Sequence, residues 1–135
     1  MEISTAPFAL AVDDEPIIRM DAAQILEEAG YRCLEAESGE EAINILTEKG
    51  QQVVVLFTDV EMPGSVNGFA LACYVAEHWP HIEIVVSSGR VKPDAADLPV
   101  KAAFIMKPFS ADTIHGELRR LLPGGTKPAP LKTAV

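Results

Sequence analysis

Five short apolar runs, separated by longer segments whose apolar residues return every three or four positions, constrain this chain more than any other feature. The runs are FALAV (8–12), YRCLEA (31–36), VVVLFTD (53–59), IEIVVSS (82–88) and AFIMK (103–107). The first, third and fourth show little alternation, as expected of strands covered on both faces of a parallel sheet. Between them, Ile18, Ala22, Ile25 and Ala29 form one helical stripe, and Phe69, Ala72, Cys73 and Ala76 form another. Regular alternation of strand and helix predicts an α/β, doubly wound (βα)5 sandwich, because right-handed crossovers place helices on both faces of one parallel five-stranded sheet.

The punctuation agrees with this reading. Pro16 suits a first helical position, Gly30 falls just past a helix end, and Ser38 to Glu41 has the Ser-x-x-Glu form of a capping box. Trp79 before Pro80 closes the third helix, and the last helix starts near Ser110 and buries Ala111, Ile114, Leu118 and Leu121. One interval departs: GRVKPDAADLPVKA (89–102) should hold the fourth helix, yet Pro93 and Pro99 predict a short or distorted element. After Leu122 the Pro/Gly-rich PGGTKPAPLKTAV predicts a flexible tail over 123–135, behind a domain of residues 1–122 and with no output domain after it.

Length and composition narrow the function classes. A chain of 135 residues suits one core and therefore one site. A net charge of -9 argues against direct nucleic-acid binding, since no Lys/Arg cluster offers phosphate neutralisation. The N-terminal MEISTAPFALAV lacks a basic segment, and no apolar stretch approaches ~18 residues, so a cytoplasmic protein without membrane contact is expected. Cys33 and Cys73, both in core-forming segments, are expected to be buried thiols in a reducing compartment. His78, His81 and His115 lack metal-ligand spacing and are expected at exposed or helix-end positions.

The informative residues stand where the runs end. Asp13 and Asp14 follow the first, Asp59 ends the third, Ser87 and Ser88 end the fourth, and Lys107 ends the fifth. With strand order 2-1-3-4-5 they converge on the crevice where ligands of doubly wound sheets gather. Singly they could be a helix cap, a turn residue and a surface charge. Together, three carboxylates in one crevice repel one another and call for a hard divalent cation such as Mg2+, which takes one or two carboxylates plus phosphate oxygens. Asp59 is then either a ligand or a nucleophile able to form an aspartyl-phosphate, with the metal and Lys107 neutralising the transferring oxygens. Ser88 is the better hydroxyl for a phosphoryl group and Ser87 the weaker candidate, because side chains alternate along a strand.

VDDE (12–15), TDVEMPG (58–64), SSG (87–89) and MKPF (106–109), in this order and spacing over residues 7–122, resemble the receiver domain of two-component response regulators. The resemblance implies a flavodoxin-like fold, Asp59 as phosphoacceptor and Asp13 and Asp14 as the Mg2+-binding acidic pair. It also implies that the backbone carbonyl of Glu61 is a further metal ligand, that Lys107 contacts the phosphoryl group, and that the Lys107-Pro108 bond is cis. Ser88 takes the switch hydroxyl position and Phe104 the switch aromatic. The implied function is a stand-alone phosphorelay component. It takes a phosphoryl group from a sensor histidine kinase or histidine phosphotransfer protein and changes its affinity for an unidentified downstream target or for a second copy in a phosphorylation-dependent homodimer. No enzymatic turnover is expected beyond Mg2+-dependent self-phosphorylation and slow autodephosphorylation.

Three features depart from the family pattern, the first being the Pro-bearing fourth helix, which belongs to the face where family members usually dimerise or meet their targets. MPGSVNGF is one residue longer than the common form, and Glu61 adds a carboxylate that could order water, repel the phosphoryl group, face solvent or pair with Arg90. Two other functions fit parts of the sequence: a non-phosphorylated interaction module, against which the complete acidic and Lys set argues, and an aspartyl-nucleophile phosphatase. The latter family favours a second Asp where DVE has Glu61, and has a cap segment that this chain lacks.

Overall fold

The most apolar runs occupy the middle of the sheet, where water is excluded from both faces. The computed structural model describes residues 6–89, 98–99 and 102–121. Strands β1 (Phe8–Val12), β2 (Arg32–Ala36), β3 (Val53–Asp59), β4 (Glu83–Ser88) and β5 (Ala103–Met106) form one sheet in the order β2-β1-β3-β4-β5, with every pairing parallel. Burial follows that order: β1, β3 and β4 are buried almost throughout, whereas the edge strands β2 and β5 are only partly covered.

Because successive side chains point to opposite faces, each central strand feeds two cores. Ala9, Ala11, Val55, Phe57, Val85 and Ile105 pack with Leu26 of α1 (Pro16–Glu28) and with Ile114 and Leu118 of α4 (Ala111–Leu121). Leu10, Val12, Leu56, Ile84 and Val86 pack with Leu46 of α2 (Gly39–Lys49) and with Leu71 and Val75 of α3 (Gly68–His78). Each fully buried Leu, Ile or Val of these layers contributes roughly 1.5–3 kcal/mol from apolar burial. This doubly wound sandwich is the expected one, with a flavodoxin-like strand order.

The helix signals act as expected, with two refinements. Pro16 opens α1, and Gly30 follows its end with φ 105°, a conformation that costs glycine little. Ser38 caps α2 by accepting the Glu41 N–H at 3.1 Å, while the Glu41 carboxylate reaches back to the N–H of Glu37, one residue before the cap. α4 begins at Ala111 and buries Ile114 and Leu118, with Ala111 half-buried. Trp79 closes α3.

The stripe on α3 is displaced from the expected one. Leu71, Ala72 and Val75 face the core, Phe69 and Ala76 are half-buried, and Cys73 is exposed. Asn67 accepts the Ala70 N–H at 2.9 Å and so starts the helix at a rotation that turns the larger aliphatic side chains inward. The expectation of two buried thiols is corrected: Cys33 is only half-buried, because β2 is an edge strand. His78 is the last residue of α3 and His81 is exposed, whereas His115 lies half-buried within α4, its Nε2 2.9 Å from the carbonyl oxygen of Ile25. The fourth helix expected within 89–102, the tail and Leu121's side chain lie outside the described residues.

Candidate functional site

The sheet order brings the strand ends together. β1 and β3 are neighbours, β3 pairs with β4 so that Asp59 stands opposite Ser87, and β5 completes the edge. Backbone hydrogen bonds then carry the pairing one step further: the Lys107 N–H donates to Ser88 O at 3.0 Å, and the Val60 N–H donates to Ser87 O at 3.1 Å. Asp13, Asp14, Asp59, Glu61, Ser88 and Lys107 all meet at this end of the molecule, around a cleft of about 300 Å³ that is also lined by Glu15, Ile18 and Gly89. A larger hollow of about 470 Å³, bordered by Ile17, Met20, Glu27 and Glu35, lies along the outer side of α1 and contains none of these groups.

Asp13 and Asp59 are buried, Asp14 is exposed, and one carboxylate oxygen of each lies within 4.8 Å of the others. Such a set of hard oxygen donors, open on one side, fits a divalent cation of the Mg2+ type. Lys107 stands opposite, its Nζ 2.8 Å from Asp59 Oδ1 and 3.4 Å from Asp13 Oδ2. The Asp59 contact is an ion pair set off the angle of a hydrogen bond.

The electrostatics are those of an excess of acid in a dry place. Burial pushes the Asp59 carboxyl up to about 6; Lys107 pulls against this, while Asp13 and Glu61 add to it. For Lys107, burial opposes the charge, but the Asp59 and Asp13 carboxylates outweigh it and hold the ammonium above its ordinary value. A bound cation would relieve the same imbalance by lowering the pKa of the carboxylates that hold it.

The polar groups of the next turn divide by strand parity. Ser88 shares the face of Ile84 and Val86, and its hydroxyl donates to Glu61 Oε1 at 2.6 Å. Burial works against the Glu61 charge, but hydrogen bonds from Ser88 and the backbone, with Lys107 nearby, hold its carboxyl below the usual range. Phe104 is half-buried against the same core cluster, on β5 opposite Val86. The Lys107-Pro108 peptide is cis, as the resemblance implied. Arg90, the other partner considered for Glu61, lies outside the described residues.

Of three supporting contacts, the helix-start role of Asp13 was among the readings of the sequence and the other two were not anticipated. Asp13 combines its place in the acidic cluster with a helix-start role, its Oδ1 accepting the Glu15 N–H at 3.0 Å. Arg19, one turn into α1, donates to the Asp13 carbonyl at 3.0 Å and pairs with Glu35 at 3.0 Å, which ties the end of β1 to β2. The longer loop after Asp59 is tethered by Ser65, whose N–H and hydroxyl both donate to Glu40 Oε2 at 3.1 Å. No local pattern announces the last two, since Arg19 and Glu35 lie 16 positions apart and Ser65 and Glu40 lie 25 apart.

Comparison with known proteins shows the family of the chain. The family model described as the response regulator receiver domain matches residues 9–119, and the chain belongs to that family. It is 32% identical over 124 residues to the sensor kinase CckA of Brucella abortus, covering 90% of this chain and 13% of the kinase. It is also 32% identical over 107 residues to the DNA-binding transcriptional regulator NtrC of Klebsiella pneumoniae, covering 77% of this chain and 22% of the regulator. The chain thus spans less than a quarter of the length of these two relatives. Among solved structures, a response regulator receiver protein from Sinorhizobium medicae superposes with a TM-score of 0.79 at 26% identity, over 86% of this chain and 94% of that one. The chemotaxis protein CheY4 of Vibrio cholerae gives 0.74 at 27% identity, over 87% of this chain and 99% of that one. The chain is thus a receiver domain of two-component signalling. Receiver domains of this family bind Mg2+ at an acidic pocket and are phosphorylated by sensor histidine kinases. Among the described residues no helix is long and apolar enough to cross a membrane.

Proposed function

We propose that this chain accepts a phosphoryl group on Asp59 from a phosphohistidine and changes its affinity for partners in response. The observation that carries the reading is a buried Asp59 carboxylate paired with Lys107 at 2.8 Å and gathered with the carboxylates of Asp13 and Asp14. Asp13, Asp14 and Asp59, with the backbone carbonyl of Glu61, are the residues that would hold Mg2+. When bound, the cation supplies positive charge to the phosphoryl oxygens.

In the transfer, an Asp59 carboxylate oxygen attacks phosphorus; the P–O bond forms as the P–N bond to the donor histidine breaks, and the electron pair leaves with the imidazole nitrogen. Lys107 neutralises charge on the phosphoryl oxygens, and Ser88 donates its hydroxyl proton to one of them. Movement of Ser88 toward the phosphoryl group opens space into which Phe104 turns, a shift between two populated arrangements of the β4–β5 surface. The donor is a sensor histidine kinase or a histidine phosphotransfer protein, in keeping with the sensor-kinase relative. The readout is binding to an unidentified downstream protein or to a second copy, in the cytoplasm.

Incubation with Mg2+ and a small phosphodonor such as acetyl phosphate, followed by intact-protein mass spectrometry, tests the reading. The expected result is a gain of one phosphoryl group that Asp59→Asn abolishes. No gain, or an equal gain in Asp59→Asn, overturns it.

A further inference from the structure

We infer that Glu61 is an internal competitor for the Ser88 hydroxyl, holding in the unphosphorylated chain the proton that an incoming phosphoryl oxygen needs. This rests on the phosphoacceptor reading and adds to it a term set by this chain's own loop. The Ser88 Oγ to Glu61 Oε1 distance of 2.6 Å is that of a charge-assisted O–H···O bond, about twice as strong as a neutral one. A hydroxyl has one proton to donate, so Ser88 serves either the Glu61 carboxylate or a phosphoryl oxygen on Asp59, not both. The two acceptors occupy one cleft, since Asp59, Glu61 and Lys107 all line it.

The loop holds the competitor in place. Val60, just before Glu61, is buried; its N–H donates to Ser87 O at 3.1 Å and its carbonyl accepts the Gly68 N–H at 3.0 Å. Beyond Glu61, Met62 and Val66 pack on the core, and Ser65 is bonded twice to Glu40. With the backbone secured on both sides, only the Glu61 side chain has to be ordered for the bond to Ser88, so the entropy cost is confined to that one side chain. A carboxylate beside a phosphoryl group also repels it through charge alone. That repulsion acts with or without the Ser88 hydroxyl, whereas competition requires it.

Binding of beryllium trifluoride in the presence of Mg2+, followed by 19F NMR or calorimetry, separates the two in a double-mutant cycle. Glu61→Ala is expected to tighten binding about tenfold when Ser88 is present, the scale of one charge-assisted hydrogen bond, and about threefold or less in a Ser88→Ala background. Glu61→Gln, which keeps the volume and a neutral acceptor, is expected to fall between, and it decides the matter if the alanine variant does not fold. Equal gains in the two backgrounds, or no gain in either, overturn the competition while leaving the phosphoacceptor reading intact. Absence of binding in every variant and in the parent chain overturns both.

Discussion

At the residue scale, the most consequential quantity is the carboxyl pKa of Asp59, raised by burial from 3.8 to about 6. An acid raised in this way binds its proton more tightly folded than unfolded, so between about pH 4 and pH 6 stability falls as pH rises, and the penalty persists above pH 6. Asp59→Asn removes that penalty. The variant is expected to be more stable than the parent at pH 7.5 by on the order of 1 kcal/mol, after allowance for solvent screening and for the charge partner that Lys107 loses. The advantage should disappear near pH 4; urea titrations at the two pH values check this, and an equal difference at both contradicts it. Asp59 was legible in the sequence because an ionisable residue at the end of an apolar run is conspicuous. The partner of Glu61 was not, because Ser88 lies 27 positions away and only the pairing of β3 with β4 brings the two together.

At the element scale, the site depends on how closely α3 starts against the end of β3. A side chain on Gly68 would collide with the carbonyl oxygen of Asp59 and come within 2.7 Å of Val60 Cα, so the helix can begin there only on a glycine. Gly68→Ala is expected to destabilise the domain by roughly 1–3 kcal/mol, the range for overpacking a tight contact. It should also displace Asp59 and lower the rate of phosphoryl uptake. Thermal unfolding and the mass assay measure the two effects, and an unchanged variant contradicts the contact. The helices themselves were legible from Pro16, Gly30 and Ser38, whose roles are local. The buried stripe of α3 was not, because Phe69, Ala72, Cys73 and Ala76 repeat at helical spacing as well as Leu71, Ala72 and Val75 do, and the Asn67 cap together with the sheet chooses between them.

At the scale of the whole molecule, folding concentrates part of a net charge of -9 into one cleft, where the carboxylates of Asp13, Asp14, Glu15, Asp59 and Glu61 gather around a single lysine among the described residues. Mg2+ should therefore stabilise the domain: at about ten times its Kd the expected gain is about 1.4 kcal/mol, or roughly 4–7 °C in Tm. Thermal scans with and without Mg2+ measure it, and Asp13→Asn should abolish the shift; an equal shift in that variant would assign the effect to general screening. The strand count, the parallel order and the choice of Asp13, Asp59, Ser88 and Lys107 as the residues that end the runs were determined by the sequence itself, because apolar runs and the residues that end them are features of neighbours along the chain; the sheet order then brought those ends together. Tertiary structure alone decided that Ser88 donates to Glu61, that Ser65 anchors the long loop to Glu40, that Arg19 braces the end of β1, and that Cys73 faces outward. Each of those outcomes turns on how one element packs against another, and periodicity along a chain carries no measure of that packing.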